Sequence, residues 1–568
     1  MTDLIDIQEM PLSVPIFRRK VEYFLGRNGL RLEDVDVYLT VQDPDGEILA
    51  GGGLKGDILK CIAVSESARS LGLSVPLVSR LVSEAAERGI TNLKVFTKPE
   101  NISIFKNMGF RLLASTPWAI LMENGRGLES YVEYLRSHRR EGNNGIIVMN
   151  ANPFTNGHRF LVENASGQVD NLFVIPVKED VSRFPYPERR DMIKAGCSGI
   201  AEVLDGSDYQ ISAATFPTYF LKDLSRASET QIRLDLDLFG KQIAPALGVT
   251  VRFVGSEPSD PLTARYNELM KEVLPKYGIK VCEIERLCDK EGPVSASRVR
   301  EALDRGALLW KQTPSGTWPY LVAEAVSRSM NMELAATHKP GLVDPERTGA
   351  HSDMDYSLMK GSIDVIRKSF TRHFPGADIV SLGKSVEKDV LEYTGGINTY
   401  RGAIFSQLMM AVAFLGLLED PEAGSADFGK LLPGAIARLA RGVEPSVSSN
   451  GGKAVKEYGV KGALAMALGG YGELFGSWLP YYRSVKEERW GLQKTLLSIM
   501  SSLDDTCIIH RAGYQRAQEV KEEAKAVLLG FSPEKLEAMD SAFVSERISP
   551  GGCADMLALT ILADNLLN

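Results

Sequence analysis

Short apolar runs alternate with amphipathic stretches through roughly the first 125 residues. VDVYLTVQD and EILAGGGL flank Pro44-Asp45-Gly46 and predict a β-hairpin. LKCIAV and LKVFTKP predict two further strands, with SVPLVSRLVSEAAERG as an amphipathic helix between them. From Glu129 to Asn144 the chain reads as charged helix and then polar, and its tail SHRREGNN predicts a linker. A second pattern begins at Gly145. GIIVMNA, NLFVIPV and VTVRFVG read as strands and HRFLVENAS as a helix opening at His158, which implies parallel βαβ units. VSASRVREAL starts a helix, and TPSGTWP at 313–319 predicts a boundary. Beyond about residue 320 the period is helical, broken by glycine turns in YTGGIN and SPGG, so one all-α domain is expected. Its least polar stretch, Gly402 to Leu418, is short for a membrane span and contains Ser406 and Gln407. A buried core helix is the expectation.

Composition narrows the class. At about 150 residues per domain, 568 residues suggest three to four domains. The pattern divides them as 1–141, 142–320 and 321–568. A formal charge of −8 argues against a dedicated nucleic-acid binder. The six cysteines form no C-x-x-C pair and read as free thiols in a reducing compartment. The start MTDLIDIQEMPLSVPIF lacks a basic region followed by an apolar one. No signal peptide, no membrane and a cytoplasmic location are therefore expected.

The segment GIIVMNANPFTNGHRFL is a strand, a loop and a helix start, which aims unpaired amides at a phosphate above the strand ends. Gly157 lets the backbone approach a ligand, and His158 suits a phosphate oxygen. At VSASRVREAL, Ser295 or Ser297 can cap a helix while Arg298 and Arg300 hold a leaving pyrophosphate. This pair resembles the nucleotidylyltransferase superfamily, with Thr155 of TNGH standing where an H-x-G-H signature has its first His. That departure, RFVGSEPSDPLTARYNELM and VSASRVR together resemble the citrate lyase ligase family over about residues 10–315. The resemblance implies a Rossmann-like α/β domain that activates acetate with ATP as acetyl-AMP. The acetyl group then passes to the thiol of the acyl carrier subunit of citrate lyase. It assigns His158, Arg298 and Arg300 to phosphate and transition-state contacts, Asn152, Thr155 and Gly157 to the loop, and Gly255, Ser256 and Glu257 to the adenosine side. Such chemistry needs orientation and charge neutralisation, not a protein nucleophile.

Upstream, ARSLGLS (Arg69, Gly72) and NISIFKNMGF resemble the Gcn5-related acetyltransferase fold, an α+β domain. It reads either as a dock for the carrier's CoA-like arm or as a fold kept for packing.

In the helical region, THKPGLVDPERTGAHSDMD, TGGINTYRGAIF, SSLDDTCIIHRAG and SPGGCADMLALT gather carboxylates, glycine turns and cations that suit Mg-nucleotide chemistry. Aspartates that merely cap helices are the alternative. Together the four strings resemble triphosphoribosyl-dephospho-CoA synthase, which joins ATP and dephospho-CoA with release of adenine. The resemblance implies Mg²⁺ ligands at Asp353, Asp355, Asp504 and Asp555, with catalytic roles for Asp353, Asp504 and His510. Phosphate contacts fall to Lys339, Arg401, His510 and Arg511, and nucleotide turns to Gly395, Gly396, Asn398, Gly551 and Gly552. SSNGGKAVKEYGVKGALAMALGG departs from the family: Lys461 to Leu464 replace a charged element.

The expectation is a fused maturation enzyme for citrate lyase using acetate, ATP, dephospho-CoA and Mg²⁺. Its rivals are the same activities for a malonate decarboxylase carrier, and a ligase with a non-catalytic C-terminal binding module.

Overall fold

The computed structural model describes residues 5–178, 182–211, 216–221, 226–257, 260–423, 427–445 and 450–568. It divides into two compact units, one ending at Val294 and one beginning at Ser295.

The first unit holds two sheets. Strands β1 (Gln8–Glu9), β2 (Val37–Gln42), β3 (Ile48–Lys55), β4 (Ile58–Val64), β5 (Leu93–Thr97), β6 (Arg111–Ser115) and β7 (Ile120–Asn124) form one sheet of order β1-β2-β3-β4-β5-β7-β6. All pairings are antiparallel except β4–β5. The Ser74–Glu87 helix makes that parallel crossover, as its amphipathic pattern predicts. The hairpin falls where the Pro-Asp-Gly turn places it: the Asp43 carboxylate accepts the Asp45 and Glu47 amides, and Gly46 takes a positive φ of 84°.

The second sheet is all parallel. Strands β8 (Asn144–Met149), β9 (Asn171–Pro176), β10 (Glu202–Val203), β11 (Val249–Gly255) and β12 (Lys280–Ile284) run in order β10-β9-β8-β11-β12. The order reverses beside β8, so the crevice beyond the carboxyl ends of β8 and β11 is where ligands of such sheets bind. One apolar core serves both sheets: Leu25, Tyr38, Phe96 and Leu135 share a cluster with Ile146, Phe173, Leu236 and Leu247. The segment expected as a linker is tied in, because Asn144 is buried and donates to the carbonyls of Arg140 and Leu247.

The second unit has no strand among its described residues. Its centre is formed by helices Trp318–Ala335, Arg401–Glu419 and Gly551–Leu567, packed on one another. The Arg401–Glu419 helix is long and apolar enough to cross a membrane, yet 72% of that window is buried inside the protein. Its Gln407 Oε1 accepts from Ser329 of a neighbouring helix. The stretch 313–319 holds one 3-10 turn, Ser315–Thr317, and then the start of the Trp318–Ala335 helix, with Thr313 and Thr317 buried.

Two candidate functional sites

In the first unit, the helix after β8 spans Asn156–Ser166 and is capped by Thr155. It opens two residues before His158 because Thr155 and His158 form a reciprocal capping box. The Thr155 amide donates to His158 Nδ1 at 3.1 Å, and Thr155 Oγ1 lies 2.9 Å from the same nitrogen. An amide can only donate, so Nδ1 carries the lone pair and Nε2 carries the proton. Burial, reinforced by the Arg286 charge, lowers the imidazole pKa to about 4. His158 is thus a neutral N–H donor at pH 7, fixed in tautomer by its own helix cap.

Gly157 serves a different contact from the one expected. A Cβ there would stand 2.5 Å from the Val294 carbonyl oxygen, so its close approach is to the chain itself. Asn152 Oδ1 accepts the Phe184 amide and pins the neighbouring loop. Arg189, fully buried, donates to the carbonyls of Phe184, Asn150 and Val177 and braces the same loop. At the end of β11, the Gly255 carbonyl accepts from Asn267 and the Ser256 amide donates to Ile284. Glu257 is ion-paired with Arg286, whose Nε donates to the Ser256 carbonyl at 2.6 Å. Pro258 and Ser259 of the expected motif lie outside the described residues. Arg189 and Arg286 carry no sequence signal that separates them from surface arginines.

Arg69 is exposed on a 3-10 turn, Glu66–Leu71. Gly72 follows at φ 66°, and no side chain caps the Ser74–Glu87 helix. Ser295 caps the Ala296–Asp304 helix by accepting the Arg298 amide at 3.3 Å, and Arg300 donates to Ser297 at 3.0 Å. This helix heads the second unit.

The second unit contains a cavity of about 1100 Å³. That volume is slightly above the usual range for small-molecule sites. Asp353, Asn398, Arg401, His510, Arg511, Gly551 and Asp555 line it, so all four sequence motifs reach one cavity. Arg511 lies 3.4 Å from His351 Nδ1, and His351 Nε2 lies 2.8 Å from Ser549 Oγ. Burial and then the Arg511 charge lower the His351 pKa, so this histidine favours its neutral form. Of the segment that departs from the expected charged element, Lys461 to Leu464, Gly462 to Leu464 line the cavity and present apolar Ala463 and Leu464. Ser448 and Ser449 at the head of that stretch lie outside the described residues.

Other expected residues are engaged elsewhere. The Asp355 carboxylate caps the Tyr356–His373 helix at the Leu358 amide. Asp504 faces Lys521 at 2.6 Å and Gln518 at 3.2 Å. Among the described residues no three His, Cys, Asp or Glu side chains group to hold a metal ion, so the four aspartates do not converge. Lys339 is buried and donates to the Glu333 carboxylate and carbonyl. Gly395 and Gly396 form the left-handed cap of the Ile379–Thr394 helix, with the Gly396 amide donating to Leu391. Gly552 abuts Asp505, whose Oδ2 accepts the Cys553 amide at 2.8 Å. Asp505 Oδ1 accepts the amides of Cys507 and Ile508, so one buried carboxylate caps two helices. Burial raises its pKa despite these amides.

The cavity also shows residues that sequence reasoning passed over. Glu333 and Tyr400 line it beside Asp555. Burial, with Asp505 and Glu333 nearby, pushes the Asp555 pKa well above the usual carboxylate range.

Comparison with known proteins divides the chain near residue 320, about 25 residues beyond the boundary between the two compact units. A family model described as the citrate lyase ligase C-terminal domain matches residues 144–321, and one described as ATP:dephospho-CoA triphosphoribosyl transferase matches 319–568. A citrate (pro-3S)-lyase ligase of Escherichia coli strain K12 is 44% identical over 300 residues, covering 51% of this chain and 85% of the relative. Klebsiella pneumoniae has relatives of both halves as separate proteins. One is a citrate (pro-3S)-lyase ligase, 43% identical over 293 residues, covering 50% of this chain and 86% of the relative. The other is a 2-(5''-triphosphoribosyl)-3'-dephosphocoenzyme-A synthase, 32% identical over 270 residues, covering 42% of this chain and 88% of the relative.

Proposed function

The chain belongs to the citrate lyase ligase family in its first part and to the triphosphoribosyl-dephospho-CoA synthase family in the rest, and we propose from that premise how its two sites work. It is a bifunctional maturation enzyme of citrate lyase. One activity acetylates the thiol of the carrier's prosthetic group, using acetate and ATP. The other makes the precursor of that group from ATP and dephospho-CoA and releases adenine.

For the ligase, acetate attacks the α-phosphorus of ATP and pyrophosphate leaves. The His158 Nε2–H donates to a non-bridging phosphate oxygen as charge grows there, and needs no proton transfer to do so. Arg298 and Arg300 take the leaving pyrophosphate, and the end of β11 receives the adenosine. The α+β sheet with Arg69 and Gly72 holds the CoA-like arm of the carrier. These residue roles extend the family reading and rest on the neutral, capped state of His158.

For the synthase, Arg401, His510 and Arg511 meet the triphosphate. Among the described residues no carboxylates form a metal cluster on their own, so the phosphates of the bound nucleotide would hold Mg²⁺, which would neutralise their charge.

The observation that carries the reading is the cavity in which all four motifs of the second family meet. Chromatography of the purified protein with ATP, Mg²⁺ and dephospho-CoA tests it. Free adenine with a matching adduct is expected. A folded protein that releases none would be a ligase with a binding module, the reading favoured by apolar Ala463 and Leu464 on the cavity wall.

A further inference from the structure

The three carboxylates at the centre of the second unit differ in what they touch. Glu333 is neutralised by buried Lys339, and Asp505 is spent on two helix ends. Asp555 lines the cavity and makes no hydrogen bond or ion pair among the described residues. Space for it is made by Gly402, in the first turn of the neighbouring Arg401–Glu419 helix, where a Cβ would overlap Asp555 Oδ2. An independent observation sits two residues before Gly402, at the helix N-cap: the Tyr400 hydroxyl, on a side chain 6% exposed, lines the same cavity and has no partner among the described residues. A buried hydroxyl and a nearby carboxylate without partners are a donor and an acceptor waiting for the same ligand group. An alcohol satisfies both at once, accepting from the phenol and donating to the carboxylate.

Resting on the synthase reading above, we propose that Tyr400 and Asp555 hold the ribose hydroxyl of dephospho-CoA that attacks ATP, with Asp555 as the catalytic proton acceptor. The hydroxyl O–H bond breaks and its proton goes to Asp555. The oxygen bonds to C1′ of the ATP ribose while the C1′–N bond to adenine breaks. Adenine leaves with that electron pair and takes a proton from cavity water, and Asp555 returns its own to water. The motif carrying Asp555 thereby supplies the base rather than a metal ligand.

The test measures adenine release by the full-length protein with ATP, dephospho-CoA and varied Mg²⁺, alongside calorimetric ATP binding. Asp555→Asn is expected to lower kcat by about 100-fold or more, the usual worth of a general base. Its ATP affinity and half-saturating Mg²⁺ should stay within about threefold of the parent. Tyr400→Phe should lower kcat/KM for dephospho-CoA by about tenfold, the size of one hydrogen bond, and leave ATP binding unchanged. Gly402→Ala, which displaces the Asp555 carboxylate, should mimic Asp555→Asn and decides the matter if that variant does not fold. An Asp555→Asn enzyme of near-parental rate would overturn the assignment, as would one rescued by excess Mg²⁺. If the parent protein releases no adenine, the synthase reading falls and takes this assignment with it. Release by parent and variant alike sinks the assignment alone.

Discussion

Asp505→Ala probes the carboxylate that caps two helices. Oδ1 serves the Thr506–Ala512 helix through Cys507 at 2.7 Å and Ile508 at 3.3 Å. Oδ2 serves the Gly551–Leu567 helix through Cys553 at 2.8 Å. Losing an N-cap costs roughly 0.5–2 kcal/mol, and these amides are too buried for water to replace it fully. Two caps lost together therefore cost about 2–4 kcal/mol. Part is offset, because burial disfavours the charge that alanine removes, which is the sense of the raised pKa. A net loss of about 2–3 kcal/mol corresponds to a fall of roughly 5–10 °C in the transition of a unit this size. Asp505→Asn keeps one acceptor and no charge, so it should fall by about half as much. Scanning calorimetry reads the shift, and hydrogen exchange reads the coupling: peptides over 505–512 and 551–556 should lose protection together. A transition within about 1 °C of the parent, or lost protection at 505–512 with 551–556 untouched, would refute a shared cap.

Other perturbations separate the sites. His158→Ala should abolish acetate-dependent ATP–pyrophosphate exchange and leave adenine release intact; loss of both from a folded variant would contradict independent sites. Gly157→Ala drives a Cβ toward the Val294 carbonyl and should cut the same exchange by about 100-fold through misplacement of the helix start. Lys339→Met leaves Glu333 buried without its cation and should cost about 3–5 kcal/mol in urea unfolding. Adding Glu333→Gln should restore part of that. The depressed pKa of His158 sets a pH effect with a definite sign. Between about 6.5 and 4 the unfolded chain binds a proton that the folded chain refuses, so stability falls as pH drops through this window. His158→Gln should flatten that slope in urea midpoints measured across it.

Features that depend on neighbours in sequence were legible. The Pro-Asp-Gly turn, the Ser295 cap and the 3.6-residue period beyond 320 each depend on nearby backbone, and each appears in the fold. The buried core helix was legible because Ser406 and Gln407 place polar groups within the apolar run, groups that a protein interior can partner, as Ser329 does for Gln407. Side chains whose partners lie far along the chain were not. Gly395–Gly396 reads equally as a phosphate turn and as a helix cap, and only the Gly396–Leu391 bond decides between them. Asp504 finds Lys521 a helix away, and Asp505 caps a helix 48 residues downstream. Glu333, Arg189 and Arg286 belong to no motif, and Tyr400 sits unmarked inside one, since their roles arise only when helices and strands pack.

The apolar cluster shared by the two sheets of the first unit limits how this protein can be rearranged by recombination. A gene can be cut wherever two products would each keep an intact interior. Severing the chain between Leu135 and Ile146 would leave both fragments with an uncovered oily face, and neither would be transplantable. The two family matches instead meet near residue 320, and a division there keeps Arg298 and Arg300 with the ligase. The seven-stranded sheet therefore travels with the ligase as one inheritable block, and the synthase is the piece free to be gained, lost or encoded elsewhere.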